Sequence, residues 1–129
     1  MREAADKQQI RQKIKTWMRA SFAGQIDQVL PLMANDVVFL RGGHPPMRGR
    51  KAFAKATSGA MQQAKISGKA NIREITLAGK YAFVWNHLVV TFTPPKGKAQ
   101  RHAGDVLSVF RKERSGRWVL WRDANLLGG

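Results

Sequence analysis

An α+β domain is the fold class the sequence predicts, and three observations predict it. Apolar residues recur at helical spacing through the first half of the chain. From residue 66 onward the period changes to two. The strand-like stretches of the second half are joined by short turns, as in an antiparallel meander. With 129 residues and 43% hydrophobic content, the chain has the size of one domain spanning 1–129.

Taken in order, residues 4 to 22 read as an amphipathic helix with Ile10, Ile14, Trp17, Met18 and Phe22 on one side. Arg11, Lys15 and Arg19 form a ladder of like charges on another face, so packing of the apolar stripe must hold the helix. Ala23-Gly24 ends it, with glycine as a left-handed cap. A shorter helix follows, with Ile26, Val29, Leu30 and Met33 buried, and Pro31 inside it signals a kink or a late start. Asn35-Asp36 reads as a turn, and Val37–Leu40 as a short strand. Arg41 to Pro46 is a loop, and a third helix runs roughly 50 to 65 with Phe53, Ala56, Ala60, Met61 and Ala64 inward. Strands are expected at 69–77, 81–93, 98–111 and 117–127. Three helices therefore precede a mostly antiparallel sheet that curves over them, and its concave side is where a pocket forms.

Composition excludes several function classes. The chain has no cysteine, hence no disulfide framework, thiolate metal site or cysteine nucleophile. No apolar run reaches the ~18 residues that span a bilayer, and the first residues lack a signal-peptide core, so a cytoplasmic protein is expected. No phosphate loop, glycine-rich dinucleotide motif or nucleophile elbow occurs, and no nucleotide cofactor is expected. The three histidines lack ligand spacing and no metal is expected. The net charge of +15 makes polyanion binding a candidate activity; a dispersed basic surface, natural or introduced, equally serves solubility.

The last strand carries a contradiction. Asp123 and Asn125 are two apart, so a strand points them at the same face, which Trp121 and Leu127 share. A carboxyl group flanked by large apolar side chains is desolvated, its pKa rises, and it suits proton transfer near neutral pH; the alternative is a salt bridge or a bond to the sheet. His87 shares its strand face with Phe83, Trp85 and Val89 and is a second acid/base candidate, or a histidine satisfied across the sheet. Asp105 pairs with Asp123 as an acid/base couple if both face inward. Trp17, Phe39, Met47, Trp85 and Trp121 are candidate liners for a hydrophobic ligand, and otherwise plain core.

A family resemblance is carried by Thr16-Trp17 with Ala23-Gly24, Asp36–Leu40, Pro45-Pro46-Met47-Arg48-Gly49, Trp85–Thr91, Thr93-Pro94-Pro95, Gly104–Lys112 and Asp123-Ala124-Asn125-Leu126-Leu127. This pattern resembles the SgcJ/EcaC-type branch of the SnoaL-like, ketosteroid-isomerase-like proteins, within the nuclear transport factor 2-like superfamily. The resemblance implies a cone of three helices on a strongly bent sheet, an internal cavity, and usually a homodimer. It does not imply one reaction. The positions of the steroid isomerases' carboxylate base and oxyanion tyrosine hold Leu40 and Trp17, so that mechanism is not expected. Related cyclases and hydrolases use acidic residues in the cavity, which again points to Asp123. Relatives tend to carry histidine where Asp105 stands, and Gly24-Gln25 replaces a usual Gly-Asp. The expected function is binding of a small hydrophobic or polycyclic molecule, with isomerase-, cyclase- or hydrolase-like acid/base chemistry. The alternative is a non-catalytic dimeric module whose basic surface binds polyanions.

Overall fold

Helix α1 (Arg2–Phe22) ends where the chain turns through Gly24 at φ 72°, a left-handed conformation that glycine adopts without strain. The computed structural model describes residues 2–128, and residues 61 and 62 by backbone alone. Helix α2 (Ile26–Val29) passes into a 3-10 turn at Leu30–Leu32, with Pro31 at its start, where the missing N–H costs nothing. Strands β1 (Met33–Arg41) and β2 (Met47–Arg48) flank the predicted loop, and α3 (Gly49–Gln63) follows. Strands β3 (Lys65–Ala78), β4 (Tyr81–Thr93), β5 (Gln100–Lys112) and β6 (Trp118–Asn125) complete the chain. The sheet order is β2-β1-β6-β5-β4-β3, with only the β1–β6 pair parallel. The result is an α+β fold of helices packed on a curved, mixed sheet.

Two early expectations are corrected by one irregularity. Met33 opens β1 instead of closing a helix, and Asn35-Asp36 lies inside that strand. Met33 stands opposite Leu120 on β6 and Val38 opposite Arg122, so the intervening residues of β1 bulge. The turn-forming Asn-Asp pair is absorbed by that bulge, not by a chain reversal. Helix α3 stops at Gln63, and the period-two pattern starts at Lys65, earlier than expected. Within α3, Phe53 is buried but Ala56 is exposed, and the side chain of Met61 lies outside the described residues.

The core sits between α1, α3 and the concave face of the sheet. Ile10, Val29, Met33, Val37, Val84 and Trp118 are fully buried there. On β4 the alternation is regular: Ala82, Val84 and Asn86 face the helices, while Phe83 and Trp85 are exposed on the convex side. Among the described residues no helix is long and apolar enough to cross a membrane.

Candidate functional site

The site begins with a one-residue bulge in β6. Leu120 pairs with Phe110 and Arg122 with Val109, which leaves Trp121 as the extra residue. The bulge shifts the parity of the strand. Leu120, Asp123 and Asn125 therefore line a chamber on the concave side. Trp121 falls on the convex side, where its indole N–H donates to Oδ2 of Asp36 at 3.2 Å and the Arg122 guanidinium stacks 4.0 Å from its ring. The expectation that Trp121 shares a face with Asp123 is thus corrected. Leu127 lies past the end of the strand, and its N–H donates to Oδ1 of Asn125 at 2.8 Å.

The chamber holds about 180 Å³ and is mainly apolar, walled by Ile14, Trp17, Met18, Phe39, Phe53, Leu88, Val106 and Phe110. Phe39 and Phe53 stack at 4.8 Å, and Trp17 packs 5.5 Å from Phe53. Asp123 enters this wall surrounded by protein, its remaining surface turned to the chamber. Burial pushes its carboxyl up to about 6; the hydrogen bond from Ser108 Oγ to Oδ1, at 2.5 Å, opposes that rise. Ser108 stands directly opposite Asp123 on β5. Asn86 is 7% exposed and also lines the chamber, and its Oδ1 meets no donor among the described residues. Lys13 reaches the same wall from α1; burial, with repulsion from Arg117, holds its ammonium below the usual lysine range.

A wider funnel of about 670 Å³ abuts the chamber and shares Phe39, Phe53, Asp123 and Asn125 with it. Its rim includes Leu40, Met47, Arg41, His44 and Arg48 from the loop region between β1 and α3. A groove on the other side, between α1 and β3, carries Arg11, Lys15 and Lys69 and shares Ile14, Met18 and Ala70 with the chamber.

The structure brings together only some of the residues singled out from the sequence. Asp123, Asn125, Trp17 and Phe39 meet at the chamber, and Met47 lies at the funnel. His87, Asp105 and Trp85 lie on the opposite, convex face. The physical reason is parity: Asn86 and Ser108 point inward, so His87 and Asp105, paired directly across β4 and β5, point outward. There Asp105 Oδ1 accepts from Trp85 Nε1 at 3.0 Å and lies 3.3 Å from His87 Nδ1. The Trp85 bond, then the His87 contact, hold the Asp105 carboxyl below the usual range. Asp105 and Asp123 therefore do not share a pocket. Among the described residues no group of three or more His, Asp or Glu side chains gathers as a metal site.

Ser108, Asn86 and Lys13 were not singled out from the sequence. The signal for Asn86 was its parity with Ala82 and Val84, which marks the buried face; for Ser108 it was an isolated hydroxyl between Val106 and Phe110.

Comparison with known proteins agrees with this architecture. A solved structure of a conserved protein from Planctomyces limnophilus is 33% identical, with 97% of this chain and 98% of that chain covered and a TM-score of 0.92. A ketosteroid isomerase-like protein from Erwinia carotovora atroseptica is 20% identical, covering 93% of this chain and 94% of that chain at a TM-score of 0.82. A putative scytalone dehydratase from Novosphingobium aromaticivorans is 15% identical, covering 98% of this chain and 89% of that chain at a TM-score of 0.87. The latter two likenesses show the fold. No curated protein matches the chain. The family model of the SnoaL-like domain matches residues 14–121, a stretch that takes in most of the chamber wall and stops short of Asp123. With its helices wrapped around a chamber on a bent mixed sheet, the chain belongs to the SnoaL-like family of the nuclear transport factor 2-like fold.

Proposed function

We propose that this protein binds a small, mainly apolar molecule in the chamber and that Asp123 transfers a proton to or from it. The observation that carries this reading is a desolvated carboxyl group with a pKa of about 6 in an otherwise apolar wall. Such a group is present in both protonation states near neutral pH, as a general acid/base must be. Ser108 holds one carboxyl oxygen, which leaves the other to act on the ligand. Proton transfer at one carbon or oxygen serves isomerisation, cyclisation, hydrolysis or dehydration alike, and the putative scytalone dehydratase of similar fold is in keeping with that range. The test is Asp123→Asn on the reaction of whatever ligand co-purifies, identified by mass spectrometry. Turnover should fall by roughly 10²–10⁴-fold; unchanged turnover would sink the catalytic reading.

The same reading includes a homodimer formed through the convex sheet face. Phe83, Trp85 and Leu107 are 43%, 44% and 49% exposed there, and Trp85 stands directly opposite Leu107 across β4 and β5. Light scattering should give twice the chain mass, and Trp85→Glu should give the single mass. A wild-type monomer at tens of micromolar would remove the dimer.

A second reading is favoured by the charge of +15 and by the Arg11, Lys15 and Lys69 groove. In it the surface binds a polyanion, and affinity for a single-stranded oligonucleotide should fall steeply as salt rises. Binding indifferent to salt would remove it.

A further inference from the structure

The chamber has a second polar station that the proton-transfer reading does not use. On the inward row of β4 the neighbours of Asn86 are Val84, fully buried, and Leu88, which also lines the chamber; beyond them stand Ala82, fully buried, and Val90, 9% exposed. An apolar residue would continue that row without penalty. Asn86 instead brings a carboxamide whose oxygen has no donor among the described residues. A buried acceptor left unmatched loses its solvation with nothing in return, which calls for a reason.

Two other polar groups of the chamber are committed elsewhere. Ser108 donates its hydroxyl to Asp123, and the Asn125 oxygen already accepts from the Leu127 N–H. Rotation about Cβ–Cγ exchanges the oxygen and nitrogen of an asparagine amide at little steric cost, so Asn86 can meet the chamber oxygen-first. Val106 stands between Asn86 and Asn125, opposite both. Strand spacing therefore sets Asn86 and Asn125 about 10 Å apart across β5. Size narrows the ligand further. A cavity of about 150 Å³ lined by apolar side chains takes benzene; this one holds about 180 Å³.

Resting on the reading of the chamber as a ligand site, we infer that it takes a single-ring molecule carrying a hydroxyl or N–H group, donated to Asn86. Asn86 is a specificity-determining residue: it orients the ring so that the far end meets Asp123. A polycyclic ligand is too large for the chamber.

Three probes of one ring each test this, namely phenol, anisole and toluene, titrated calorimetrically into the wild type and into Asn86→Leu. Phenol is the most water-soluble of the three, so a purely apolar chamber prefers toluene and anisole. The inference expects the reverse, with phenol at least roughly tenfold tighter than anisole in the wild type. Asn86→Leu should cancel or invert that order while toluene still binds. Toluene or anisole binding as tightly as phenol in the wild type overturns the role of Asn86 and leaves the ligand chamber standing. A phenol preference that survives Asn86→Leu overturns it too, since another acceptor then carries the selectivity. Failure of all three probes to bind the wild type overturns both this inference and the ligand-site reading. Should Asn86→Leu not fold, Asn86→Val takes its place in the same comparison, and a wild type without a phenol preference overturns the role of Asn86 by itself.

Discussion

Ser108 on β5 and Asp123 on β6 stand directly opposite each other, and the Ser108 hydroxyl donates to Asp123 Oδ1 at 2.5 Å. This bond reaches a carboxyl group that burial alone would drive further toward the neutral acid. The balance leaves its pKa at about 6. The pair thus tunes the half-buried acid of the chamber wall into the range where it can gain and lose a proton.

Removing the hydroxyl should raise that pKa. A hydrogen bond to a charged acceptor is worth roughly 1.5–3 kcal/mol, so Ser108→Ala should move the Asp123 titration upward by about one unit or more. Carbon-detected NMR of the carboxyl resonance checks this. An unchanged or lower midpoint would mean that Ser108 does not hold the ionised form.

Asp123 should also shape stability against pH. Its folded-state pKa of about 6 lies above the ordinary 3.8, so the folded protein holds this proton more tightly than the unfolded chain. Ionisation therefore costs stability progressively as pH rises from about 4 to about 6, and the cost is constant above. Its ceiling is on the order of 3 kcal/mol. Asp123→Asn should stabilise the protein at pH 8 by about 1–3 kcal/mol and leave it nearly unchanged at pH 4. Denaturant melts at the two pH values read the difference directly.

Asp36 should behave in the opposite sense. Its carboxylate accepts from Arg111 at 2.9 and 3.2 Å and from Trp121 at 3.2 Å on the convex face. The Arg111 bonds, then the Trp121 bond, hold its pKa below the usual range. That stability is present above the ordinary carboxylate pKa and is lost as pH falls through the lowered value. Asp36 is largely exposed, so Asp36→Asn should cost no more than about 1 kcal/mol at pH 7. The loss should vanish at strongly acidic pH, which thermal melts across that range will show.

The aromatic partition between chamber and funnel should be removable. Phe39 lines both spaces and stacks on Phe53. Phe39→Ala should join them, admit two-ring ligands that the wild type excludes, and cost about 2–4 kcal/mol of stability. Equal affinity of wild type and variant for a two-ring probe such as naphthol would show that Phe39 divides nothing.

Gly104 should tolerate no side chain. A Cβ there would collide with the carbonyl of Leu126, where the C-terminal segment crosses β5. Gly104→Ala should displace that segment, lose the Ala103–Gly128 bridge, and destabilise the protein by more than about 2 kcal/mol. Hydrogen exchange at Ala103 and Gly128 reports the bridge itself.

The sequence by itself determined the fold class, the element order and the family. Those rest on local periodicity and turn chemistry: Gly24 capping α1, the helical spacing of Ile10, Ile14 and Trp17, and the change of period to two from residue 66 onward. It also named Asp123 and Asn125 as polar residues in an apolar strand, Trp17 as an aromatic residue in an amphipathic helix, and Phe39 as one in a short apolar strand. Only the tertiary structure decided which face each strand turns to the helices. A strand read alone has two equivalent faces, so His87, Trp85 and Asp105 could not be assigned until β4 and β5 were seen packed on the helices. The bulge at Trp121 was equally hidden. It leaves no composition signal, being a mismatch of register between β6 and its two neighbours. Yet that single extra residue turns Trp121 out to Asp36 and Asp123 in to Ser108, because side chains alternate along a strand and one inserted residue reverses the order.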